Sequence, residues 1–379
     1  MKKYNIAVIP LDGVGKDVIP LGVKAMQKAQ EILGGFELDC QYYEAGVEYA
    51  VKTGKMCEDN LEEDIAKADA MLCGSAGHYD ADMSKSEYPG YKTGMQVLQF
   101  LRSGMGNSIG LRPLRLLKGI DCPLRNREEI DVLLVRQLAE GFYIRPGHMI
   151  GEDAAYDTIV VTRNVTEKFA DTCFRLARGR HGRRQDGKKM VTLGNKHGNV
   201  TCFDFYRKIF TEVSAGYPDI ELQFTQVDAL AEHLIKDPDR FDVIACENMI
   251  GDIIGDIGAY ITGGMGITPT ADVGGVTPQF RPNHGTFPRA VGKGFANPLA
   301  SILTAGLLLD TLGNDRGDDN LRRGARLIEK AVEDNLTTGG PRTKDLGGTA
   351  NTFATAEAVF KAMEVVKICS KGERKHGKN

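Results

Sequence analysis

Near its amino terminus the chain reads Tyr4-Asn5-Ile6-Ala7-Val8-Ile9-Pro10-Leu11-Asp12-Gly13-Val14-Gly15. The apolar part of this stretch predicts a buried strand, and its glycines predict a turn into a helix that runs from Asp17 to about Leu33. Two more strand-like runs follow at residues 36–43 and 70–73. Strands that alternate with helices indicate an α/β fold with a largely parallel sheet.

The same alternation continues along the rest of the chain. Further strands are predicted at residues 131–135, 158–162, 189–193, 221–227 and 242–246. Further helices are predicted at residues 60–67, 165–178, 202–214, 297–312, 320–335 and 355–366. Because no linker separates the middle third from its neighbours, we interpret it as a subdomain inserted into the first sheet.

The composition excludes a disordered, a collagen-like and a coiled-coil protein. Hydrophobic residues make up 42% and charged residues 26% of the 379 residues, which is typical of globular domains. The net charge of −3 gives no electrostatic reason to expect a nucleic-acid or membrane-surface partner. The eight cysteines include no Cys-x-x-Cys pair, so neither a zinc site nor a redox motif is expected. Without a signal peptide or a long apolar run, the expected location is the cytoplasm.

The turn at Leu11–Gly15 resembles a dinucleotide-binding fingerprint only in part. It lacks the third glycine of the G-x-G-x-x-G pattern, and no acidic residue follows at the expected place on the second strand. We therefore interpret it as a structural turn that leads into a helix, and we do not expect a Rossmann fold.

Two carboxylates stand out in Glu247-Asn248-Met249-Ile250-Gly251-Asp252-Ile253-Ile254-Gly255-Asp256. Asp252 and Asp256 are four residues apart, so on a helix both would project from one face. Like charges at this spacing repel, and a cation between them would relieve the repulsion. Oxygen ligands favour Mg²⁺ or Mn²⁺ over zinc. The alternative is an ordinary solvated helix face.

Three arginines are candidates for binding an anionic substrate. Arg102 and Arg112 flank a glycine-containing segment, and Arg136 ends an apolar run. An arginine at the carboxyl end of a buried strand points into the crevice where α/β sheets bind ligands. The guanidinium fork suits planar carboxylates, which suggests a di- or tricarboxylate substrate. Taken singly, each arginine is more often a partner in a surface ion pair than a substrate ligand.

The glycine-rich stretch from Asn283 to Pro298 precedes a long apolar helix. It offers backbone N–H groups, one histidine and basic side chains, a combination that can wrap a nucleotide.

Taken together and in this order, these motifs resemble those of the isocitrate/isopropylmalate dehydrogenase family, which are metal-dependent β-decarboxylating dehydrogenases. The resemblance runs over nearly the whole chain. Arg102 and Arg112 are ten residues apart, as the family's substrate arginines are, and Leu111-Arg112-Pro113 is its usual tripeptide. Residues 248–256 resemble its N-x-x-G-D-I-x-x-D metal helix.

The resemblance implies an isopropylmalate dehydrogenase-like α/β fold with a mixed, twisted sheet flanked by helices and two interwound domains. Residues 1–105 and 265–379 would form a large cofactor-binding domain. Residues 106–264 would form a smaller domain for substrate, metal and dimerisation. A homodimer with shared active sites is expected, and neither nucleic acid nor a membrane is expected as a partner.

The resemblance also assigns roles to individual residues. Tyr143 and Lys196 fall at the catalytic positions. Asp252 and Asp256 fall at the positions of two metal ligands of one subunit, and Asp228 falls at the position of the third ligand, which the partner subunit supplies. In this family the metal chelates the hydroxyl and carboxylate of the substrate, the lysine helps to move the hydroxyl proton and the tyrosine protonates C3 after CO₂ leaves. The residues that resemble the cofactor loop are His284, Gly285, Thr286, Phe287, Pro288, Arg289 and Asn297.

The helix that leads into Arg102 selects the substrate in this family. Gln96 and Leu98 stand where isocitrate enzymes have serine and asparagine, which argues against isocitrate. Isopropylmalate enzymes have apolar residues at the positions of Leu98 and Gln99, and here only Leu98 is apolar. A C3-substituted malate, most like 3-isopropylmalate, is therefore the predicted substrate; tartrate, D-malate and a homoisocitrate-type analogue remain open.

Two further questions stay open at the level of sequence. Arg289 occupies the place of the aspartate that binds the adenosine ribose in NAD-using members, so the sequence favours NADP over NAD. Gly110, Gln137 and Gly198 also depart from the family pattern. A catalytically silent regulatory subunit on the same fold is the alternative function, although retention of the catalytic and metal positions favours an active enzyme.

Overall fold

The computed structural model describes residues 1–78, 95–125, 127–144 and 147–373. It shows a mixed α/β fold with a mostly parallel sheet flanked by helices, as predicted. The strands are β1 (Lys2–Ile9), β2 (Phe36–Tyr42), β3 (Ala70–Cys73), β4 (Ile109–Arg115), β5 (Asp131–Gln137), β6 (His148–Ile150), β7 (Ala154–Tyr156), β8 (Met190–Asn195), β9 (Glu221–Gln226), β10 (Val243–Cys246), β11 (Pro269–Val273) and β12 (Gln279–Pro282). The helices are α1 (Gly15–Leu33), α2 (Val47–Thr53), α3 (Leu61–Ile65), α4 (Met95–Gln99), α5 (Arg163–Gly179), α6 (Thr201–Ser214), α7 (Val227–Lys236), α8 (Asn248–Ile261), α9 (Leu299–Asp315), α10 (Asp319–Thr337) and α11 (Thr352–Glu373).

The chain divides into two compact units, and the first is built from three separate segments of the chain. Unit 1 comprises Met1–Gly106, Leu117–Asp121 and Gly263–Asn379. Its strands lie in the order β2-β1-β3-β12-β11, and all neighbours are parallel except the antiparallel pair β11 and β12. Helix α9 is buried along most of its length and packs against α1 and α10. An apolar helix enclosed in this way anchors the unit through the hydrophobic effect.

Unit 2 comprises Asn107–Leu116 and Cys122–Thr262. Its strands lie in the order β4-β5-β10-β8-β9, with β4 antiparallel to β5 and the others parallel. Its core includes a cluster of aromatic rings from α5 and α6, namely Phe169, Phe174, Tyr206 and Phe210. Strands β5 and β10 end at the same level, because Arg136 is the register partner of Cys246. Helix α8 begins two residues later and is therefore placed at the carboxyl edge of these strands.

One predicted strand is wrong. Residues 158–162 have the β-branched composition of a strand, but the structure shows them as irregular backbone that is exposed or half-buried. The carbonyl of Val160 accepts one hydrogen bond from Gly141, and Thr162 bonds the carboxylate of Glu140. β-Propensity without a neighbouring strand or a buried face does not produce a ladder. The prediction also omitted β4, β6, β7, β11 and β12.

Among the described residues, the structure contains no helix both long and apolar enough to cross a lipid bilayer.

Candidate active site

The start of α8 is held by Glu247, a side chain that the sequence analysis did not select. Its buried carboxylate caps the helix by accepting hydrogen bonds from the backbone of Met249 and Ile250 at 3.0 and 3.2 Å. Its other oxygen accepts a hydrogen bond from the backbone N–H of Phe142 at 3.1 Å. One carboxylate therefore joins the helix start to the segment that carries Tyr143. An acidic residue directly before a glycine-rich helix is the signal that marks this cap in the sequence.

The close contact between the carboxylate of Glu247 and the backbone before Phe142 requires a glycine at position 141. Gly141 has φ +97°, and a Cβ at this position would overlap the carboxylate of Glu247. Only glycine avoids both the strain of this backbone conformation and the collision.

Helix α8 presents its two aspartates on one face, one turn apart. The side chains of Asp252 and Asp256 are 38% and 60% exposed, so their oxygens remain accessible to solvent. Arg112 from β4 lies behind them, with Nη2 at 3.0 Å from Oδ1 of Asp252 and Nη1 at 3.6 Å from Oδ1 of Asp256. Arg136 from β5 also pairs with Asp252 and donates Nε and Nη2 to Oδ1 of Asn248 at 2.9 and 2.7 Å.

Two glycines allow the arginines to lie against the helix. A Cβ at Gly251 would approach Cγ of Arg136 to 2.9 Å, and a Cβ at Gly255 would approach Nη1 of Arg112 to 2.5 Å. The alternation of glycine and aspartate in α8 therefore has a steric reason. Each aspartate follows a glycine and pairs with the guanidinium for which that glycine leaves room. Asn248, quoted in the sequence motif but not selected as a site residue, orients Arg136.

Tyr143 completes this cluster. Its hydroxyl donates to Oδ2 of Asp252 at 3.3 Å, and its ring centroid lies 5.6 Å from the guanidinium carbon of Arg136. Burial raises the pKa of the Tyr143 phenol, and the negative charge of Asp252 raises it further, whereas Arg136 lowers it. The hydroxyl therefore keeps its proton at neutral pH and is able to donate it.

Lys196 and Asp228 form a separate pair in unit 2. Nζ of Lys196 lies 2.8 Å from Oδ2 of Asp228, which belongs to the first turn of α7. The hydrogen bond from Lys196 lowers the pKa of Asp228. Within the part of the chain that the structure describes, no three His, Cys, Asp or Glu side chains come together as metal ligands. Within one chain, Asp228 therefore does not join Asp252 and Asp256 in such a group.

The predicted substrate residues of unit 1 lie around a short π-helical turn, Phe100–Gly104, that follows α4. Arg102 projects from this turn and donates Nε to Oδ2 of Asp272 on β11 at 2.9 Å. In α4, Leu98 is half-buried against the core of unit 1 and Gln99 is exposed.

The predicted cofactor loop packs against the first turn of unit 1. The backbone N–H of Val14 donates to the carbonyl of Thr286 at 2.7 Å, and the hydroxyl of Ser75 donates to the carbonyl of His284 at 2.6 Å. Gly13, at φ +63°, lies so close to Thr286 that a Cβ would collide with its carbonyl. The Leu11–Gly15 turn is therefore a support for the neighbouring loop.

The side chains of this loop offer groups that a nucleotide can use. Nδ1 of His284 lies 2.9 Å from the carbonyl of Gly285, while its Nε2 is buried with no hydrogen-bond partner in the described part of the chain. Burial lowers the pKa of His284, so the imidazole is neutral at pH 7. Phe287 has φ +40° and is exposed, and Arg289 is exposed on the short 3-10 helix Pro288–Ala290.

Asn297 stands at the other end of the loop and is buried. It donates Nδ2 to Oδ2 of Asp345 at 2.8 Å and accepts a hydrogen bond from the backbone N–H of Leu299 at 3.0 Å. It therefore fixes the start of α9. Three features of the loop fit a dinucleotide. Nε2 of His284 is buried without a hydrogen-bond partner among the described residues, Gly285 and Gly292 have open space around them, and Arg289 is exposed.

Comparison with known proteins decides which family these features belong to. The family model described as isocitrate/isopropylmalate dehydrogenase matches residues 5–362. The chain belongs to the isocitrate/isopropylmalate dehydrogenase family. This assignment confirms the predicted fold family and the class of enzyme, a decarboxylating dehydrogenase.

Individual members of the isocitrate/isopropylmalate dehydrogenase family match the chain from end to end. It is 32% identical to a D-malate dehydrogenase [decarboxylating] of Escherichia coli over 95% of this chain and 99% of that protein. It is 34% identical to a 3-isopropylmalate/3-methylmalate dehydrogenase of Methanocaldococcus jannaschii over 94% and 98%. The crystal structure of an isocitrate dehydrogenase from Methylococcus capsulatus has a TM-score of 0.81, with 28% identity over 96% of this chain and 100% of that one.

Proposed function

We propose that this dehydrogenase oxidises and decarboxylates a malate-type 2-hydroxy diacid with a substituent at C3, most like 3-isopropylmalate, and uses NAD(P) as the oxidant. The observation that carries the proposal is the cluster in unit 2. Two buried guanidiniums, from Arg112 and Arg136, lie beside two partly exposed aspartates and the hydroxyl of Tyr143. The cluster thus combines guanidiniums that can bind the substrate carboxylates, aspartate oxygens that can bind a metal ion, and a hydroxyl that can donate a proton.

The aspartates fit a divalent cation. Both are carboxylates on one helix face, and the oxygens of Asp256 are the more exposed. We propose that Asp252 and Asp256 hold Mg²⁺ or Mn²⁺ together with Asp228 of the partner subunit. When bound, the ion supplies a Lewis acid that polarises the hydroxyl and the adjacent carboxylate of the substrate.

The protein side chains then perform the positioning and the proton transfers. Arg112 and Arg136, together with Arg102, would bind the substrate carboxylates and thereby orient C2, and the dinucleotide, when bound, would supply the acceptor for the hydride. Lys196, supplied by the neighbouring subunit, would help to move the hydroxyl proton as the C–H bond breaks. The resulting β-keto acid loses CO₂, and Tyr143, whose raised pKa keeps it protonated, returns a proton to C3.

Substrate choice is the finer part of the proposal. The half-buried Leu98 offers an apolar contact, while the exposed Gln99 replaces the second apolar residue expected for 3-isopropylmalate. A mixed surface of this kind suits a smaller or partly polar C3 substituent as well. D-malate, tartrate and a homoisocitrate-type acid are therefore alternative substrates.

For the cofactor, we propose that the loop from His284 to Arg289 and Asn297 binds the dinucleotide. The exposed Arg289 is suited to a 2′-phosphate and has no acceptor for the 2′-hydroxyl of NAD, which favours NADP. The neutral imidazole of His284 carries its proton on Nδ1, which faces the carbonyl of Gly285, so Nε2 is able to accept a hydrogen bond from the adenosine portion.

We propose that the active form is a homodimer. Helices α7 and α8 expose an apolar patch on unit 2 whose most exposed members are Ile235, Ile253 and Tyr260, at 46%, 57% and 67%. These residues line one concave surface together with Ile257 and Leu124. Large exposed apolar patches mark association sites, and a second copy is the occupant that also delivers Asp228 and Lys196.

The deciding experiment is an assay of the purified protein with Mn²⁺ and either NAD or NADP. The panel consists of 3-isopropylmalate, 3-methylmalate, D-malate, tartrate, isocitrate and homoisocitrate. We expect formation of the reduced cofactor together with release of one CO₂ per turnover for at least one C3-substituted malate. A Tyr143→Phe variant should be nearly inactive and a Tyr42→Phe variant, which alters an exposed tyrosine of unit 1, should be unaffected. Absence of reduced cofactor with every acid would overturn the proposal.

A further inference from the structure

Arg102 is tied to a buried carboxylate that belongs to no motif selected from the sequence. The side chain of Asp272 is only 6% exposed, and its Oδ2 accepts a hydrogen bond from Nε of Arg102 at 2.9 Å. Among the described residues, this is the one hydrogen bond that the structure records for the Arg102 guanidinium. The two residues are 170 positions apart in the chain. Their pairing is therefore a property of the folded unit 1.

The atom that Asp272 engages determines what Arg102 can still do. A guanidinium donates five N–H groups in a planar fork, and its outer edge is formed by Nη1 and Nη2. Because Asp272 contacts Nε, that outer edge stays available for a planar anion. A substrate carboxylate can then bind two parallel N–H groups, which is the strongest geometry for such a pair.

Arg102 needs an external support because of the backbone that carries it. It lies in the π-helical turn Phe100–Gly104, where the N–H of Met105 bonds the carbonyl of Phe100 at 3.1 Å. A π turn is wider than an α turn and is common at functional sites. The turn is docked on the β11–β12 hairpin, because the N–H of Val276 donates to the carbonyl of Met105 at 2.9 Å.

Asp272, by contrast, is part of a rigid element. It lies on β11 directly opposite the fully buried Gln279 of β12. Nε of Arg281, on β12, lies 4.0 Å from the same carboxylate oxygen. These three side chains comprise two cations and one anion, so the cluster keeps a net positive charge. Asp272 thus holds Arg102 in place without cancelling its attraction for an anionic substrate.

We propose that Asp272 is a positioning residue that aims the outer edge of Arg102 at a carboxylate of the substrate. The proposal rests on the proposed function, in which Arg102 binds the substrate. Asp272 itself touches neither substrate nor cofactor and acts through Arg102. Its loss should therefore weaken substrate binding and leave cofactor binding unchanged.

The test compares Asp272→Asn with Arg102→Lys and with the double variant, using the diacid that supports turnover. We expect Asp272→Asn to raise KM for the diacid about 10-fold or more, in line with the loss of one charge-assisted hydrogen bond. The kcat should change less than about 3-fold, and KM for the cofactor should stay constant. Added to Arg102→Lys, the Asp272→Asn change should raise KM less than about 2-fold further, because residues acting as one unit are not additive.

Controls separate positioning from a purely structural role. Asp318→Asn alters another buried aspartate of unit 1, which bonds Tyr4 and caps α10, and it should lower thermal stability without changing KM. Asp272→Glu keeps the charge but displaces the carboxylate, so it should raise KM less than Asp272→Asn does. It also provides the measurement if the asparagine variant does not fold.

Two outcomes contradict different parts of the argument. If Arg102→Lys raises KM while both Asp272 variants leave it unchanged, the positioning role is wrong and the proposed function stands. If Arg102→Lys itself leaves KM unchanged, Arg102 does not bind the substrate, and both ideas are overturned.

Discussion

The ammonium of Lys196 and the carboxylate of Asp228 are paired, with Nζ 2.8 Å from Oδ2. Asp228 lies in the first turn of α7 and accepts a hydrogen bond from Lys196, which follows directly after β8. Both side chains are partly exposed and therefore available to another molecule. Within one chain, Asp228 does not lie with the aspartates of α8. We therefore expect Lys196 and Asp228 to act together in the active site of the neighbouring subunit of a dimer.

This arrangement predicts complementation between two inactive variants. Tyr143→Phe and Lys196→Met should each be nearly inactive, because each lesion affects both sites of its own homodimer. After unfolding and refolding together in equal amounts, about half of the dimers should be mixed by random pairing. Each mixed dimer has one site with both lesions and one with none. Activity should therefore recover to roughly a quarter of that of the wild type.

Subunit exchange has to be shown independently, for example with two tags of different mass. A mixture that exchanges subunits and stays inactive would place Tyr143 and Lys196 in the same site of one chain. The shared-site model would then be wrong.

The metal site makes a second prediction, for Asp252→Asn. The change removes one charge with little change of shape, so the protein should fold. We expect the Mn²⁺ concentration for half-maximal activity to rise more than about 10-fold, because a ligand is lost, and kcat to fall strongly. Asp310→Asn, at a carboxylate of α9 in unit 1, is the matched control and should behave like the wild type. Unchanged dependence on Mn²⁺ in Asp252→Asn would remove this residue from the metal site.

A third prediction concerns the cofactor. If the Arg289 guanidinium binds a 2′-phosphate, kcat/KM should be higher with NADP than with NAD. Arg289→Asp should then reverse the ratio by about 10-fold or more, since a charge-assisted contact is replaced by repulsion. The same substitution at the exposed Arg323 of α10 should leave the ratio unchanged. A clear preference of the wild type for NAD would mean that Arg289 does not bind a 2′-phosphate.

The contact between Gly141 and Glu247 makes a fourth prediction. Gly141→Ala should lower the free energy of unfolding by about 2–4 kcal/mol, because the methyl group displaces the cap of α8 and the backbone has φ +97°. Gly151 is the matched control, since it has φ +63° and no atom within 4 Å of a built Cβ. Gly151→Ala should therefore cost only the backbone strain, about 1 kcal/mol. Thermal and urea unfolding measure both, and equal effects would show that the cap is not under steric control.

Much of the fold follows from periodicity. The apolar run before Leu11 and the helix that ends at Leu33 are predicted because burial on one face repeats with the helical or strand period. Strands β4, β11 and β12 escaped prediction because they contain residues that strands usually avoid, such as Pro113 and Asp272. The buried Asp272 is tolerated in β11 because its carboxylate pairs with Arg102, which is distant in sequence, and lies near Arg281.

The site was less accessible to prediction than the fold. Spacing placed Asp252 and Asp256 on one helix face, and the structure shows that they lie there. Spacing did not show that Arg136 is oriented by Asn248, or that Glu247 connects the helix cap to Phe142. Those contacts depend on which strands are neighbours, and neighbour order is set by tertiary packing.

The division of unit 1 along the chain has a consequence for biosynthesis. Strand β3 ends at Cys73, and its parallel neighbour β12 begins at Gln279, so about 200 residues are translated between them. At roughly 5–20 residues per second, this takes about 10–40 s. Throughout that interval β3 has an unpaired edge, whereas every segment of unit 2 has already been made by residue 262. We therefore expect unit 2 to fold first on the ribosome, and the nascent amino-terminal segment to be the part of the chain that depends on chaperones.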